Sequence, residues 1–487
     1  MSEYVPSLWS GAATVAGMKT PIQAVVTTGI YCRAEGCPAS PKAENVRDYA
    51  SPVAAEAAGF RPCLRCRPDR IPPAQMNGTP SPVHSALLLI NEGALDESTE
   101  EELGSRVGLS ARQLRRLFLE HVGATPGLVA RSRRAHFARR LLDESDLSIT
   151  DIAYAAGFNS VRQMNRVMTD TFRFTPTELR SKRRERDRLT ADGGLPLRAP
   201  YQSPFSFQGM LRFFGVRALP GVESADGMTY RRTITTHGHP GAIEVSDAGD
   251  GKHLLVLAHL PTFNALIDDV ARVRRIFGLD HPPADRIPAL RKDPVLAPLI
   301  KQNKGLRLAG AWDRFETAVR IVVTQQISLR AARTILGRIT RTFGKPVAGL
   351  TELGLTHTFP PAERLANASL NRIASMGMPT TRAATIKALA TVYASEALSL
   401  EPSTSLDTLV DRLSAVPGIG QWSAHCIALR AAGHADAFPA DDLGLRKAGA
   451  AALGRPGEFL DSAELAQLAE AWRPHRGLAA MHLWASL

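Results

Sequence analysis

Four of the chain's five cysteines fall within its first seventy residues, as Cys32-x4-Cys37 and Cys63-x2-Cys66, and no other stretch of the sequence constrains the local fold as tightly. Thiolates are soft ligands, and four of them close a tetrahedron around one Zn2+ without any histidine. In an intracellular chain such clustering points to metal rather than to disulfides. Two readings follow from the spacing. The site is a purely structural zinc knuckle, or it presents a nucleophile: four thiolates around one dication carry a net charge of about −2, so an exposed sulfur stays electron-rich at neutral pH. Cys426 stands alone, far down the chain.

The remaining sequence is too long for one core. At 487 residues, with 44% hydrophobic and 22% charged residues, it reads as about three globular domains. No apolar run is long enough to cross a bilayer, and the N-terminal MSEYVPSLWSGAATVAGM lacks the basic start and apolar stretch of a secretory signal. A cytoplasmic, bacterial nucleoid-associated protein without membrane contact is expected. The net charge of +12 favours a polyanionic partner, because Lys and Arg release counterions when they neutralise phosphates. Linker-like stretches at Asp69–Pro82 and Ser181–Gly194 cut the chain. The expected units are 1–70, 82–180, and a third part divided into 200–288, with strand-like alternation in MTYRRTITT and KHLLVLAHL, and a helical 289–487.

TTGIYCRAEGC, ENVRDYAS and AAGFRPCLRCRPD together resemble the zinc domain of the Ada methylphosphotriester repair proteins, over about Ala24 to Arg70. The resemblance implies that Cys32 accepts a methyl group from a DNA phosphotriester and is consumed, with Cys37, Cys63 and Cys66 completing the metal site. Two features differ from the family: x4 where x3 is usual, and a short segment before Thr27 without the family's usual basic residue beside the TTG. Methylation would remove a negative charge near the phosphates, raising DNA affinity and switching on transcription. RNA polymerase is then an expected partner.

Between Val83 and Arg180 the chain reads as helical pairs with small-residue turns, Val107-Gly108-Leu109-Ser110 echoing Ala156-Gly157-Phe158-Asn159. The second helix of a helix-turn-helix lies in the major groove, so its outer face should carry long polar donors. Arg112, Gln113, Arg115 and Arg116 fill that role in the first pair, and Arg162, Gln163, Asn165 and Arg166 in the second. Apolar Leu114, Leu117 and Phe118, or Met164 and Val167, face inward. A charged, solvated face on an ordinary bundle is the alternative. TPGLVARSRRAHFARRLL and GFNSVRQMNRVMTDTFRFTPTELR resemble the AraC-type regulator domain, which implies reading of promoter DNA.

LSAVPGIGQWSAHCIALR makes a tight glycine hairpin feeding a helix. Backbone N–H groups around Gly418 and Gly420 could grip a phosphate without reading sequence, although PGIG is also a common turn. FPADDLGLRKAGAALG places Asp441 and Asp442 at a helix start, where one should cap the helix and the other is surplus. An ionised carboxylate there could stabilise an oxocarbenium-like sugar and orient water as an N-glycosidic bond breaks. The hairpin, the DD pair and AWRPHRGLAAMHLWASL resemble the 3-methyladenine DNA glycosylase II family of the helix-hairpin-helix superfamily. That resemblance implies Asp442 as the catalytic aspartate and Trp422, Trp484 and Phe213 as pocket aromatics. Cys426 and Ala485 stand where the family has tyrosines, and Gln326 where it has an intercalating leucine. Each aromatic could equally be a core residue. Trp422 occupies the position of the Schiff-base lysine of related lyases, so hydrolysis without strand cleavage is implied. With Cys426 its only cysteine, the third part cannot hold an iron-sulfur cluster.

The expected architecture is multidomain and mainly α: a small zinc-bound α/β domain, an all-α double helix-turn-helix domain, and a glycosylase of small α/β subdomain plus helix-hairpin-helix bundle. The expected function is DNA alkylation repair coupled to regulation, acting on double-stranded DNA at damaged sites and promoters. The alternative is a methylation-sensing activator whose glycosylase-like half only binds DNA.

Overall fold

A computed structural model describes residues 22–34, 37–38, 41–68, 82–184, 188–189 and 193–487. The expected linker 69–82 lies outside these except for Pro82, and the second linker is described only in part. Among the described residues no helix is long and apolar enough to cross a membrane. The chain is multidomain and mainly helical, as its patterning implies.

The cysteine-rich part is a four-stranded sheet of β1 (Ile22–Val25), β2 (Ile30–Arg33), β3 (Val46–Tyr49) and β4 (Arg61–Pro62) in the order β3-β1-β2-β4. One short helix, Pro52–Ala57, is started by Ser51, whose side chain accepts from the Ala54 amide. Its own apolar cluster is small: Ile22, Ala24, Tyr31 and Ala55.

The next part is helical throughout. Thr99, Ser110, Thr125, Ser148, Ser160 and Thr175 each cap a helix, so polar residues between apolar runs set the element boundaries. Gly108 and Gly157 occupy equivalent turns at φ +73° and +76°, a conformation that favours glycine, which explains the echo between the two pairs.

The third part opens with a five-stranded antiparallel sheet, β5 (Leu195–Pro200), β6 (Glu223–Ala225), β7 (Thr229–Thr236), β8 (His239–Asp247) and β9 (His253–His259), ordered β5-β9-β8-β7-β6. β5 begins five residues before the expected start at 200, its prolines at both ends masking a strand that pairs along β9. Helices follow to Trp484.

Packing does not respect the linker-based division. One apolar cluster joins the second helix-turn-helix (Ile152, Met164, Phe172) to the sheet and bundle of the third part, while another joins the first helix-turn-helix (Leu103, Leu114, Phe118) to Val53 of the zinc module. Ion pairs also tie the helical second part to the third: Arg133 with Asp268 at 2.5 Å, Arg106 with Glu401 at 2.5 Å, and Glu92 between Arg275 and Arg314 at 2.6 and 2.8 Å.

Candidate functional site

The thiol cluster is assembled by strand pairing. β2 and β4 run parallel with Tyr31 opposite Pro62, and the Cys63 amide donates to the Tyr31 carbonyl at 2.9 Å, which sets Cys63 beside Cys32. Cys66 follows in the turn after β4 and Cys37 in the loop after β2. The four Sγ atoms all lie within 4.8 Å of one another. This donor set fits one Zn2+. The crowding is visible in the proton affinities: the hydrogen bond from Cys32 lowers the Cys66 thiol to about 5, and that contact, followed by burial, raises Cys32. A bound dication removes the conflict by stabilising all four thiolates. Cys32 is 8% exposed, since its strand is flanked on both sides, whereas Cys37 and Cys66 are half-buried. The sulfur expected to be the nucleophile is thus more deeply covered than Cys37 or Cys66. Arg67, next to Cys66 and in the left-handed region at φ +49°, forms a buried ion pair with Asp143 of the helix Pro126–Glu144 at 2.7 Å.

The helices Ala111–His121 and Val161–Phe172 carry the expected base-reading residues. Arg112, Arg116, Arg162, Asn165 and Arg166 are exposed, with Leu114, Phe118, Met164 and Val167 buried beneath them. The glutamines have internal duties. Gln113 accepts from the Ser110 amide to close a capping box, and Gln163 accepts from the Asn159 amide, each at 3.0 Å. Their carbonyls are committed to their own helix starts, which leaves each only its NH2 group for outside contacts. Arg115 pairs with Glu100 at 2.5 Å, whereas Arg112, Arg162 and Arg166 form no ion pair among the described residues.

The third part contains a cleft of about 1520 Å3 between the sheet side and the helical bundle. Asp442 lines it and is also the N-cap of the helix Leu443–Ala452, so the capping expected of one aspartate and the cleft position expected of the other fall on the same residue. Asp442 Oδ1 accepts from the Leu445 amide at 3.0 Å and from Trp484 Nε1 at 2.9 Å, and Oδ2 from Trp422 Nε1 at 3.2 Å. Trp422 and Trp484 therefore hold the carboxylate as well as lining the cleft. Asp441 is exposed at the rim.

The glycine hairpin joins the helices Leu406–Ser414 and Gln421–Arg430. Gly418 sits at φ +87°, but Gly420 is extended at φ −90° and supplies the helix start without a side-chain cap, leaving the first-turn amides open to an anion. A Cβ on Gly418 would lie 1.9 Å from Thr385 Oγ1, whereas one on Gly420 meets nothing within 4 Å. Gly418→Ala is expected to cost roughly 3 kcal/mol of stability, and Gly420→Ala a few tenths; paired thermal unfolding curves check the difference. Gln326 lines the cleft mouth at φ +54°, and its neighbour Gln325 donates to the Gly418 carbonyl at 3.0 Å and to Ser423 Oγ at 2.7 Å, fastening this turn to the hairpin.

Phe213 does not line the cleft; Phe214 does. The Phe213 ring is covered instead by Arg217 and Arg430, whose guanidinium carbons lie 4.0 and 4.6 Å from its centroid. Sequence reasoning missed these arginines, as it missed a buried network in which Glu223 and Glu316 bridge Arg232 and Arg320 at 2.9–3.1 Å. Glu316 and Arg320 are spaced i,i+4, a pattern indistinguishable in sequence from a surface pair.

Four family models match the chain: the metal binding domain of Ada over 21–69, a helix-turn-helix domain over 103–182, the AlkA N-terminal domain over 196–313, and the HhH-GPD superfamily base excision DNA repair protein over 319–474. A probable bifunctional transcriptional activator/DNA repair enzyme AlkA from Mycobacterium tuberculosis is 38% identical over 470 residues, covering 96% of this chain and 92% of that protein. DNA-3-methyladenine glycosylase 2 from Escherichia coli is 28% identical over 286 residues, 58% of this chain and 95% of that protein. A 3-methyladenine DNA-glycosylase from Archaeoglobus fulgidus shares the fold, with a TM-score of 0.52 at 23% identity over 59% of this chain and 96% of its own.

Proposed function

Because this chain belongs to the AlkA family of bifunctional transcriptional activator/DNA repair enzymes, we propose that it releases alkylated bases from double-stranded DNA by hydrolysis and couples that repair to transcription regulation. The observation that carries this reading is the Asp442 carboxylate, fixed in the cleft by two indole N–H groups and a helix start. Gly418, Gly420 and the open amides of the helix Gln421–Arg430 grip a phosphate, Gln326 fills the space the flipped nucleotide leaves, and the base enters the cleft. Asp442 then faces the sugar, stabilises positive charge as the C1′–N bond breaks, and orients the water that forms the new C1′–O bond. No lysine lines the cleft among the described residues, which favours plain hydrolysis over a Schiff base. Free 3-methyladenine and 7-methylguanine appearing from randomly methylated duplex DNA would support the reading; DNA bound without release would favour the alternative, an activator whose third part only binds.

The zinc module, assigned to 1–70, is proposed as the methyl acceptor. In the transfer an S–CH3 bond forms at Cys32, the methyl C–O bond breaks, and the phosphodiester anion departs. Zn2+ held by Cys32, Cys37, Cys63 and Cys66 keeps the sulfurs as thiolates. Because Cys37 is the less covered sulfur, peptide mass spectrometry after exposure to a methylphosphotriester oligonucleotide must locate the methyl; its absence from Cys32 with zinc retained would leave a structural knuckle. The regulator part, assigned to 82–180, is proposed to read promoter DNA and contact RNA polymerase. Arg162→Ala is expected to weaken specific DNA binding about tenfold in a gel-shift titration, since an arginine bound to a base edge contributes on the order of 1–3 kcal/mol. The glycosylase part is assigned to its sheet subdomain through residue 288 and the bundle 289–487.

A further inference from the structure

A glycosylase meets two kinds of damaged base, and they change charge in opposite senses. A permanently cationic N-alkylated base leaves as a neutral molecule when the electron pair of the C1′–N bond goes to its nitrogen. An uncharged base receiving the same pair leaves as an anion and takes its proton afterwards. In both cases water supplies OH to the sugar; its proton goes to solvent when the base departs neutral and to the base when it departs as an anion. Positive charge fixed in the pocket opposes entry of the first kind and stabilises departure of the second.

The cleft beside Asp442 is built positive. Six arginines line it (Arg217, Arg232, Arg320, Arg333, Arg382 and Arg430) against four carboxylates, Glu223, Glu316, Asp441 and Asp442. Glu223 and Glu316 are consumed by Arg232 and Arg320. Asp441 is exposed at the rim, so Asp442 is the remaining carboxylate within. Arg217 and Arg430 form no ion pair among the described residues. Arg217 donates to the Phe213 carbonyl at 3.2 Å and Arg430 to the Ala309 carbonyl at 3.3 Å, and both stack on Phe213. Burial lowers Arg217 to about 10, opposed by the Asp442 carboxylate, and lowers Arg430 to about 9, with a further contribution from repulsion by Arg217 and Arg320.

Resting on the glycosylase reading above, we propose that Arg217 and Arg430 set the charge specificity of the cleft, favouring flipped bases that are uncharged and carry oxo acceptors over permanently cationic N-alkylated ones. The pair donates hydrogen bonds to the oxo groups and holds the negative charge that builds on an uncharged base as it leaves. They select among substrates and are not required for the chemistry at the sugar.

Single-turnover release from two duplexes tests this, one carrying hypoxanthine, an uncharged oxo-purine, and one carrying cationic 7-methylguanine. The readout is the ratio of the two rates, in which any loss of folded enzyme cancels. Arg217→Met is expected to lower the hypoxanthine to 7-methylguanine ratio at least tenfold, Arg430→Met to lower it in the same direction, and Arg217→Lys, which keeps the charge, to restore most of it. A ratio unchanged or raised in Arg217→Met and Arg430→Met overturns the proposal and leaves the pair a packing role around Phe213. Release of neither base by wild type overturns the glycosylase reading itself, and the specificity assignment with it.

Discussion

Asp442→Asn is expected to slow base release by about 10^3-fold, roughly 4 kcal/mol of transition-state stabilisation, while leaving the stability of the protein within about 1 kcal/mol of wild type. The two effects separate because the cap and the proposed role at the sugar have different requirements. As an N-cap the side chain needs an oxygen to accept from the Leu445 amide, and asparagine caps as well as aspartate does. The same oxygen keeps the hydrogen bond from Trp484. The new NH2 group faces the Trp422 indole N–H, donor against donor, but Trp422 is half-buried and water can take the displaced bond. What asparagine cannot supply is negative charge opposite the developing oxocarbenium. A quench-flow or chromatographic assay of 7-methylguanine release, run beside circular dichroism, reads both quantities. A folded variant retaining more than about a tenth of the wild-type rate would remove Asp442 from the reacting centre.

The contrast between Asp442 and its neighbours in the cleft shows which parts of a site are legible in sequence. Cap residues, turn glycines and the cysteine spacing are local, because a residue and the backbone groups it serves lie within a few positions. Ser110, Thr125 and Gly157 therefore fall where pattern and propensity put them. The charged cleft wall is assembled from Arg217, Glu223 and Arg232 on one side and Glu316, Arg320 and Arg430 on the other, segments as far apart in sequence as residues 217 and 430. No local period announces it. Phe213 and Phe214 illustrate a narrower ambiguity: adjacent helical residues point about 100° apart, and an FF pair leaves the sequence without a preference for which one meets the cleft. The linkers divide the chain into parts, but the apolar clusters cross those divisions, since composition marks a connection without saying what packs across it.

Removal of the metal is expected to unfold the N-terminal module while sparing base release. Among the described residues the module's own apolar cluster is four buried residues, Ile22, Ala24, Tyr31 and Ala55, with Tyr49 and Phe60 packed against them, less than a segment of this length needs to offset its conformational entropy. A four-thiolate zinc site contributes on the order of 10 kcal/mol, enough to decide whether the sheet forms. Without it the parallel pairing of β2 with β4, which rests on two residues of β4, loses the crosslink that holds Cys32 beside Cys63. The damage should pass to the regulator, because Val53 belongs to the cluster of the first helix-turn-helix, Arg67 is ion-paired to buried Asp143, and His136 is hydrogen-bonded to Glu56 at 2.5 Å. Among the described residues the glycosylase cleft shares no apolar cluster with the zinc module. Hydrogen exchange on Cys63→Ala, or on protein stripped by a strong chelator, should therefore show protection lost across residues 22–68 and reduced in the helix Pro126–Glu144, with the rate of base release within about twofold of wild type. Protection that persists across 22–68 after the metal is gone would mean that docking on the regulator, rather than the thiolate cluster, holds this sheet together.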